Sequence, residues 1–213
     1  RSALYPGLAR LLDLDLSDLA GVDDAYYLGP ALYVAPVVAR GATSKTVELP
    51  AGLYLDWRGQ ALVEGGREVT LDAPLDKLPL LLRDGYLVPL LDPAIDTLAE
   101  EDHPDVVGPA DVADVYDLAG LLSTATGTAR TELWDGDVFE ATWAGGFAPP
   151  GLAQVTDPAE LATCAGCWMR EGISADLARV RVSAAAGETV QAGGLELTSQ
   201  TSRRVRWDLY LVD

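Results

Sequence analysis

The chain predicts an all-β fold of two antiparallel β-sandwich modules, and three observations carry that reading. Between residues 26 and 90 the apolar segments are short and rich in β-branched and aromatic residues. Each closes on Gly, Pro or Asp at intervals of about 8 to 12 residues, the spacing of a sandwich. Further on, Asp135-Gly136 separates two strand-like runs, Thr131–Trp134 and Asp137–Glu140, and such a pair suits a two-residue type I′ hairpin. The closing segment Arg203–Val212 alternates, with Val205, Trp207, Leu209 and Leu211 on one face and Arg204, Arg206, Asp208 and Tyr210 on the other. That is the pattern of a half-buried strand.

Taken in order, residues 1–24 carry Leu8, Leu11, Leu12, Leu16 and Leu19 at partly helical spacing, with Pro6-Gly7 punctuating the start. A short helical segment is expected there, needing a surface to pack on. The proximal module, residues 25–91, offers strands at Leu32–Val38, Thr46–Leu49, Leu53–Asp56, Gln60–Val63, Glu68–Leu71, Leu78–Arg83 and Tyr86–Leu90. Leu78-Pro79-Leu80-Leu81-Leu82 is nearly all apolar and reads as a strand covered on both faces. Residues 92–108 turn polar and acidic and read as a linker. A helix is predicted over 109–122, because Val112, Val115, Tyr116 and Ala119 share a helical face and Pro109 suits a first turn. The distal module, residues 109–213, returns to strands at Ala178–Ser183, Glu188–Gln191, Leu195–Ser199 and Arg203–Val212. Residues 144–172 read as a long loop with one helical turn at Pro158–Thr163.

Composition narrows the function. In 213 residues, 49% hydrophobic content is enough to bury a core. A formal charge of -18 and a pI near 4.2 argue against nucleic acid, which requires clustered cations; the only lysines are Lys45 and Lys77. No apolar run approaches 18 residues, so a membrane partner is not expected either. A chain beginning Arg1-Ser2, without an initiator Met, is expected to have lost any targeting segment of its parent. Its location stays unknown, with an extracytoplasmic one favoured.

Each candidate for chemistry has a plainer alternative. Cys164 and Cys167 form a C-x-x-C motif that, with His103 distant, falls short of four zinc ligands. A local disulfide or two free thiols remain open. The acidic residues between 100 and 117 lack the grammar of a calcium loop, so no metal and no cofactor is expected. His103 sits before Pro104, away from any nucleophile motif. Exposed Trp and Tyr faces stack on sugar rings, and the available platforms are Tyr54, Trp57, Trp134, Trp143, Trp168 and Trp207. Most aromatics on alternating strands are core. Trp143 and Trp168, beside the long loop, are the substrate-binding candidates.

A resemblance adds to this. LGPALYVAPVVARGATSKTVELPAG, then LYLDW, then EGGREVTLDAPLDKLPLLLRDGYLVPL, over roughly residues 24–91, resembles the region directly after the catalytic barrel in glycoside hydrolase family 31. The α-glucosidases and α-xylosidases belong to that family. The resemblance implies that residues 1–24 are a remnant of the barrel's last helix and its connection. It implies a parent that cleaves or transfers α-glycosides with retention, using two barrel aspartates. The W-x-D-M-N-E type motif of the nucleophile is absent from this sequence, and a barrel needs about 250 residues. The implied role is therefore a non-catalytic support for the barrel of the same parent chain, inactive alone and with no catalytic residues of its own. A carbohydrate-binding module that tethers the enzyme to a polysaccharide is the alternative. Self-association through the barrel-facing surface is also expected.

Overall fold

A computed structural model describes residues 25–58, 60–98, 103 and 105–213. The helical segment expected over 1–24 lies outside the described residues. The chain divides into two compact units, Arg1–Tyr86 and Leu87–Asp213.

In the first unit a five-stranded sheet has the order β1 (Tyr26–Leu28), β2 (Leu32–Val34), β7 (Leu80–Arg83), β4 (Leu53–Asp56), β5 (Ala61–Glu64). A two-stranded sheet pairs β3 (Ser44–Leu49) with β6 (Arg67–Asp72). Val47, Leu49 and Leu71 of the small sheet pack against Tyr27, Tyr33, Tyr54 and Leu81 of the large one. The rings of Tyr27 and Tyr33 meet edge to face at 5.3 Å, and the hydroxyls of Tyr27 and Tyr54 share a 2.6 Å hydrogen bond inside the core. Turns between strands use Gly where a Cβ has no room: at Gly65 it would fall 1.9 Å from the Pro50 carbonyl oxygen.

The opposite face of the five-stranded sheet is apolar as well. The register aligns Leu28 with Leu32, Leu32 with Leu82, Leu82 with Leu55, and Leu55 with Leu62. Facing residues in antiparallel strands lie on one side, so one leucine from each of the five strands forms a continuous row. Beside it Tyr26, Val34 and Leu80 make a second row. Leu55 and Leu82 are fully buried, while Leu28 and Tyr26 on edge strand β1 are 50% and 42% exposed.

In the second unit a six-stranded sheet has the order β12 (Ala153–Gln154), β13 (Cys167–Gly172), β14 (Leu177–Ala184), β16 (Arg204–Val212), β9 (Val115–Ser123), β8 (Tyr86–Leu90). It opposes a three-stranded sheet of β10 (Thr128–Glu132), β11 (Val138–Phe147) and β15 (Val190–Gln200). Between them lies one core that includes Leu118, Leu122, Phe139, Trp143, Trp168, Val180, Leu197, Trp207 and Leu209. The larger sheet is mixed rather than purely antiparallel: β16 runs parallel to β9 and β12 parallel to β13. The strands of the first pair come from opposite ends of the unit, so no tight hairpin dictates their sense.

Three expectations need correction. The helix predicted over 109–122 shrinks to one 3-10 turn, Pro109–Val112, whose Gly108 N–H donates to Asp111 Oδ2 at 2.8 Å. The rest is β9, with Leu118 to Ser123 all buried. A central strand covered on both faces loses its period of two, and its apolar run then passes for a helical stripe. The loop expected over 144–172 contains strands β12 and β13, while the helical turn expected at Pro158–Thr163 is present as α1, whose Asp157 side chain accepts from the Ala159 N–H at 2.9 Å. The third is the 135–136 turn. Leu133 N–H donates to the Asp137 carbonyl at 2.9 Å, giving a three-residue loop, and only Gly136 has positive φ (87°). A type I′ turn would need Asp135 there too.

Glu188–Gln191 and Leu195–Ser199 join into the single strand β15. Its register against β11 shifts between Trp143 and Phe147, where Gly145 and Gly146 on one strand pass Gly193 and Gly194 on the other. A Cβ on Gly194 would lie 2.0 Å from the Gly145 carbonyl oxygen, so this bulge demands glycine.

Candidate functional site

The two predicted sugar platforms are core residues. Trp143 is 3% exposed, and its indole N–H donates to the Val212 carbonyl at 3.0 Å across the sandwich. Trp168 is 4% exposed, and its ring meets Phe147 at 5.5 Å. Phe147 in turn lies under the Arg170 guanidinium at 5.0 Å. Two hollows touch this group. One, of about 70 Å³, includes Trp143, Arg170, Asp176 and Asp213 in its lining; small-molecule sites begin near 300 Å³. The other is an open depression of about 540 Å³ lined by Phe147, Pro149, Gln154, Trp168, Arg170 and Gly172. Trp168 and Phe147 are turned on one another and Arg170 lies over Phe147, so the rings here are occupied by neighbouring side chains.

Cys164 and Cys167 are joined by a disulfide between the end of α1 and the start of β13, with Cα atoms 5.9 Å apart. The Cys164 carbonyl accepts from Ser183 Oγ at 2.5 Å and from Arg204 Nη1 at 3.2 Å. With Val155, Leu161 and Met169 the bridge makes a small satellite core. Among the described residues no three His, Cys, Asp or Glu side chains converge as metal ligands. His103 is exposed, its Nδ1 accepting from the Asp105 N–H at 3.3 Å.

The charged clusters are ion pairs between strands. Arg206 on β16 grips Asp117 of β9 through Nε at 2.6 Å and Nη2 at 2.5 Å, and Nη2 also reaches Asp92 at 2.5 Å. Burial pushes Asp117 above the usual carboxylate range although Arg206 pulls it down. Burial would push Asp92 up too, but the Ala94 N–H and Arg206 outweigh it and hold Asp92 low. Arg179 takes Asp208 through two bonds of 2.7 and 2.6 Å, and donation to that carboxylate raises its own pKa. Each carboxylate faces a cation, an arrangement for holding strands rather than for moving protons.

One aromatic platform that the sequence offered but did not single out stands apart. Trp134, at the apex of the β10–β11 hairpin, is 96% exposed. Its neighbour Asp135 accepts from the Tyr116 hydroxyl at 2.6 Å, and that hydroxyl accepts from Arg203 Nη1 at 2.6 Å. Donation from Tyr116 lowers the Asp135 pKa, and burial raises that of Tyr116. The turn signal around Asp135-Gly136 was the available clue, because it places the preceding residue at a tip.

Two all-β units, each with its own core and with interstrand ion pairs in the second, define a β-sandwich region. Residues 12–88 match the family model described as Glycosyl hydrolase family 31 C-terminal domain. Intestinal sucrase-isomaltase of Oryctolagus cuniculus is 34% identical over 85 residues, 39% of this chain and 5% of that protein. An alpha-glucosidase of Mucor javanicus is 26% identical over 181 residues, 79% of this chain and 18% of that protein. An uncharacterized protein of Listeria monocytogenes EGD-e shares the fold over 85% of this chain and 19% of its own, with TM-score 0.53 and 17% identity. The similarity to the C-terminal domain of glycoside hydrolase family 31 thus covers residues 12–88, and the chain spans less than a fifth of the length of these relatives.

Proposed function

We propose that this region buttresses the catalytic barrel of a retaining α-glycosidase that belongs to the same parent chain. The observation that carries the reading is the row of five leucines, Leu28, Leu32, Leu82, Leu55 and Leu62, on the face opposite β3 and β6. A sheet apolar on both faces needs cover on both. Its centre is already buried within the chain, whereas Tyr26 and Leu28 remain open as a rim for a neighbour. Hydrolysis with retention would come from two barrel carboxylates about 5 to 5.5 Å apart, outside this region. The linker role of residues 92–108 belongs to the same proposal. So does self-association of the isolated chain through the open rim, since exposed apolar patches drive contact.

The test is the double substitution Tyr26→Asp and Leu28→Asp. In the isolated chain it lowers the melting temperature only slightly, because each side chain is already about half exposed on an edge strand. In the parent enzyme it lowers the thermal stability of the barrel and with it α-glucosidase activity. A parent unaffected by both charges overturns the reading. So does turnover of a chromogenic α-glucoside by the isolated chain. The tethering alternative draws no support from Trp143 and Trp168; what favours it is Trp134.

A further inference from the structure

We infer that the β10–β11 hairpin apex is a carbohydrate contact in which Trp134 stacks on a pyranose ring and Asp135 accepts hydrogen bonds from its hydroxyls. The choice of an α-linked glucan as ligand rests on the α-glycosidase reading; the assignment of the site does not.

A Trp is seldom left this open, since its ring is among the largest apolar surfaces a chain can bury. Packing does not require Trp134 to be aromatic: at 96% exposure the indole contributes almost nothing to the core. The mount beneath it is firm. Leu133 N–H to Asp137 O (2.9 Å) and Gly136 N–H to Leu133 O (3.0 Å) close the turn. Tyr116 and Arg203 tie down Asp135, and Thr201 Oγ donates to Asp137 Oδ2 at 2.7 Å. Below them the Tyr116 ring packs edge-on against Phe139 at 5.3 Å, and Phe139 against Trp207 at 6.2 Å, deep in the core. The tip therefore loses little backbone freedom on binding, which favours a weak ligand.

The surroundings select the ligand class. Beside Trp134 in the hairpin, Glu132, Asp135 and Gly136 are exposed, whereas Leu133 and Val138 are partly buried. A protein interface needs an apolar centre of several residues inside a polar rim. A single ring face bordered by carboxylates instead matches a sugar, whose C–H face is apolar and whose edge is all hydroxyls. Asp135 is exposed, and a carboxylate has about four acceptor positions, so it can take hydroxyl donors beyond Tyr116 and the Asp137 N–H, the latter at 3.3 Å. The depression at Phe147 and Trp168 has comparable residue types, but there the rings are already stacked on one another or under Arg170.

The experiment is affinity electrophoresis of the chain and of Trp134→Ala in gels containing soluble starch, dextran, xyloglucan or a β-glucan. Maltohexaose titration followed by indole N–H NMR signals accompanies it. An exposed side chain is removed, so the variant folds, and unchanged far-UV dichroism verifies this. The wild type is retarded by an α-linked polymer, one indole signal moves with maltohexaose, and Trp134→Ala loses that signal and at least about tenfold in affinity. Equal retardation of both proteins overturns the site. Retardation by none of the polymers overturns the carbohydrate inference while leaving the buttress test untouched. Trp134-dependent binding to the β-glucan alone keeps the site and overturns the α-linked ligand. Loss of barrel stability in the parent on Trp134→Ala, with no glycan effect, makes the apex a protein contact and overturns the proposal.

Discussion

Replacing Arg206 with Met tests whether the ion pairs of the second unit hold its strands. Arg206 and Asp117 are direct partners across the parallel β9–β16 pair, and Arg206 also holds Asp92. Their side chains are only 13 to 17% exposed. Removing one partner of a buried pair costs about 3 to 5 kcal/mol, because the remaining charge is stranded. Met keeps most of the aliphatic stem, and the edge of the cluster touches solvent, so the lower end, about 3 kcal/mol, applies near neutral pH. The pH dependence sharpens the test. Asp117 is held above its ordinary value by burial even with Arg206 present; without that cation it rises further. The folded variant then takes up a proton before the unfolded chain does, so its stability grows as pH falls through the folded pKa toward about 3.9. Asp92, held low in the wild type, works the other way: its contribution is present above the ordinary value and fades as pH falls through its folded one. Down to pH 5 only the Asp117 effect narrows the gap between wild type and variant; that of Asp92 sets in below about 3.9. Urea unfolding followed by the emission of Trp143, Trp168 and Trp207, all in this core, measures the gap at pH 7.5 and pH 5. A deficit under about 1 kcal/mol at pH 7.5, or one that widens on acidification, refutes the reasoning.

Glycine substitutions separate collision from conformational strain. Gly194→Ala sets a Cβ 2.0 Å from the Gly145 carbonyl and destabilises the second unit by several kcal/mol, whereas Gly136→Ala, with positive φ but open space around it, costs about 1 to 2 kcal/mol; chemical denaturation ranks the two. The Cys164–Cys167 bridge closes a very short loop, so reduction lowers stability by about 2 kcal/mol or less, seen as a small drop in melting temperature with dithiothreitol. With a formal charge of -18, copies of the chain repel. Salt screens that repulsion, so self-association through Tyr26 and Leu28 strengthens with added NaCl in sedimentation velocity and is lost in the Tyr26→Asp, Leu28→Asp variant.

Where one side of a strand faces a core and the other a polar surface, the sequence was legible. β16 shows this best, since Val205, Trp207, Leu209 and Leu211 all join the core. Where both sides are covered, as in β9, alternation vanishes, and Val112, Val115, Tyr116 and Ala119 imitated a helix. β13 was hidden for a related reason: Cys167, Trp168 and Met169 are buried in succession, one side serving the main core and the other the satellite around α1. For the site, aromatic identity was readable but exposure was not. Trp143, Trp168 and Trp134 look alike in sequence, and only the register of β11 and β13 and the three-residue turn decide which ring faces water.

The two large sheets differ in chemistry on the side away from their cores. In the second unit that side of β16 presents Arg206 and Asp208, each paired with a neighbouring strand, and Tyr210 under the Arg179 guanidinium at 5.4 Å. Ala119, Leu121 and Tyr210 on the same side are buried, so this face is covered as well as ion-paired. In the first unit the equivalent side is a row of leucines, for which contact with water is unfavourable by roughly 25 cal/mol per Å² of apolar surface. That cost falls on the rim, Tyr26 and Leu28, since Leu55 and Leu82 are already buried. At the hairpin tip of the second unit the Trp134 indole stands open to solvent.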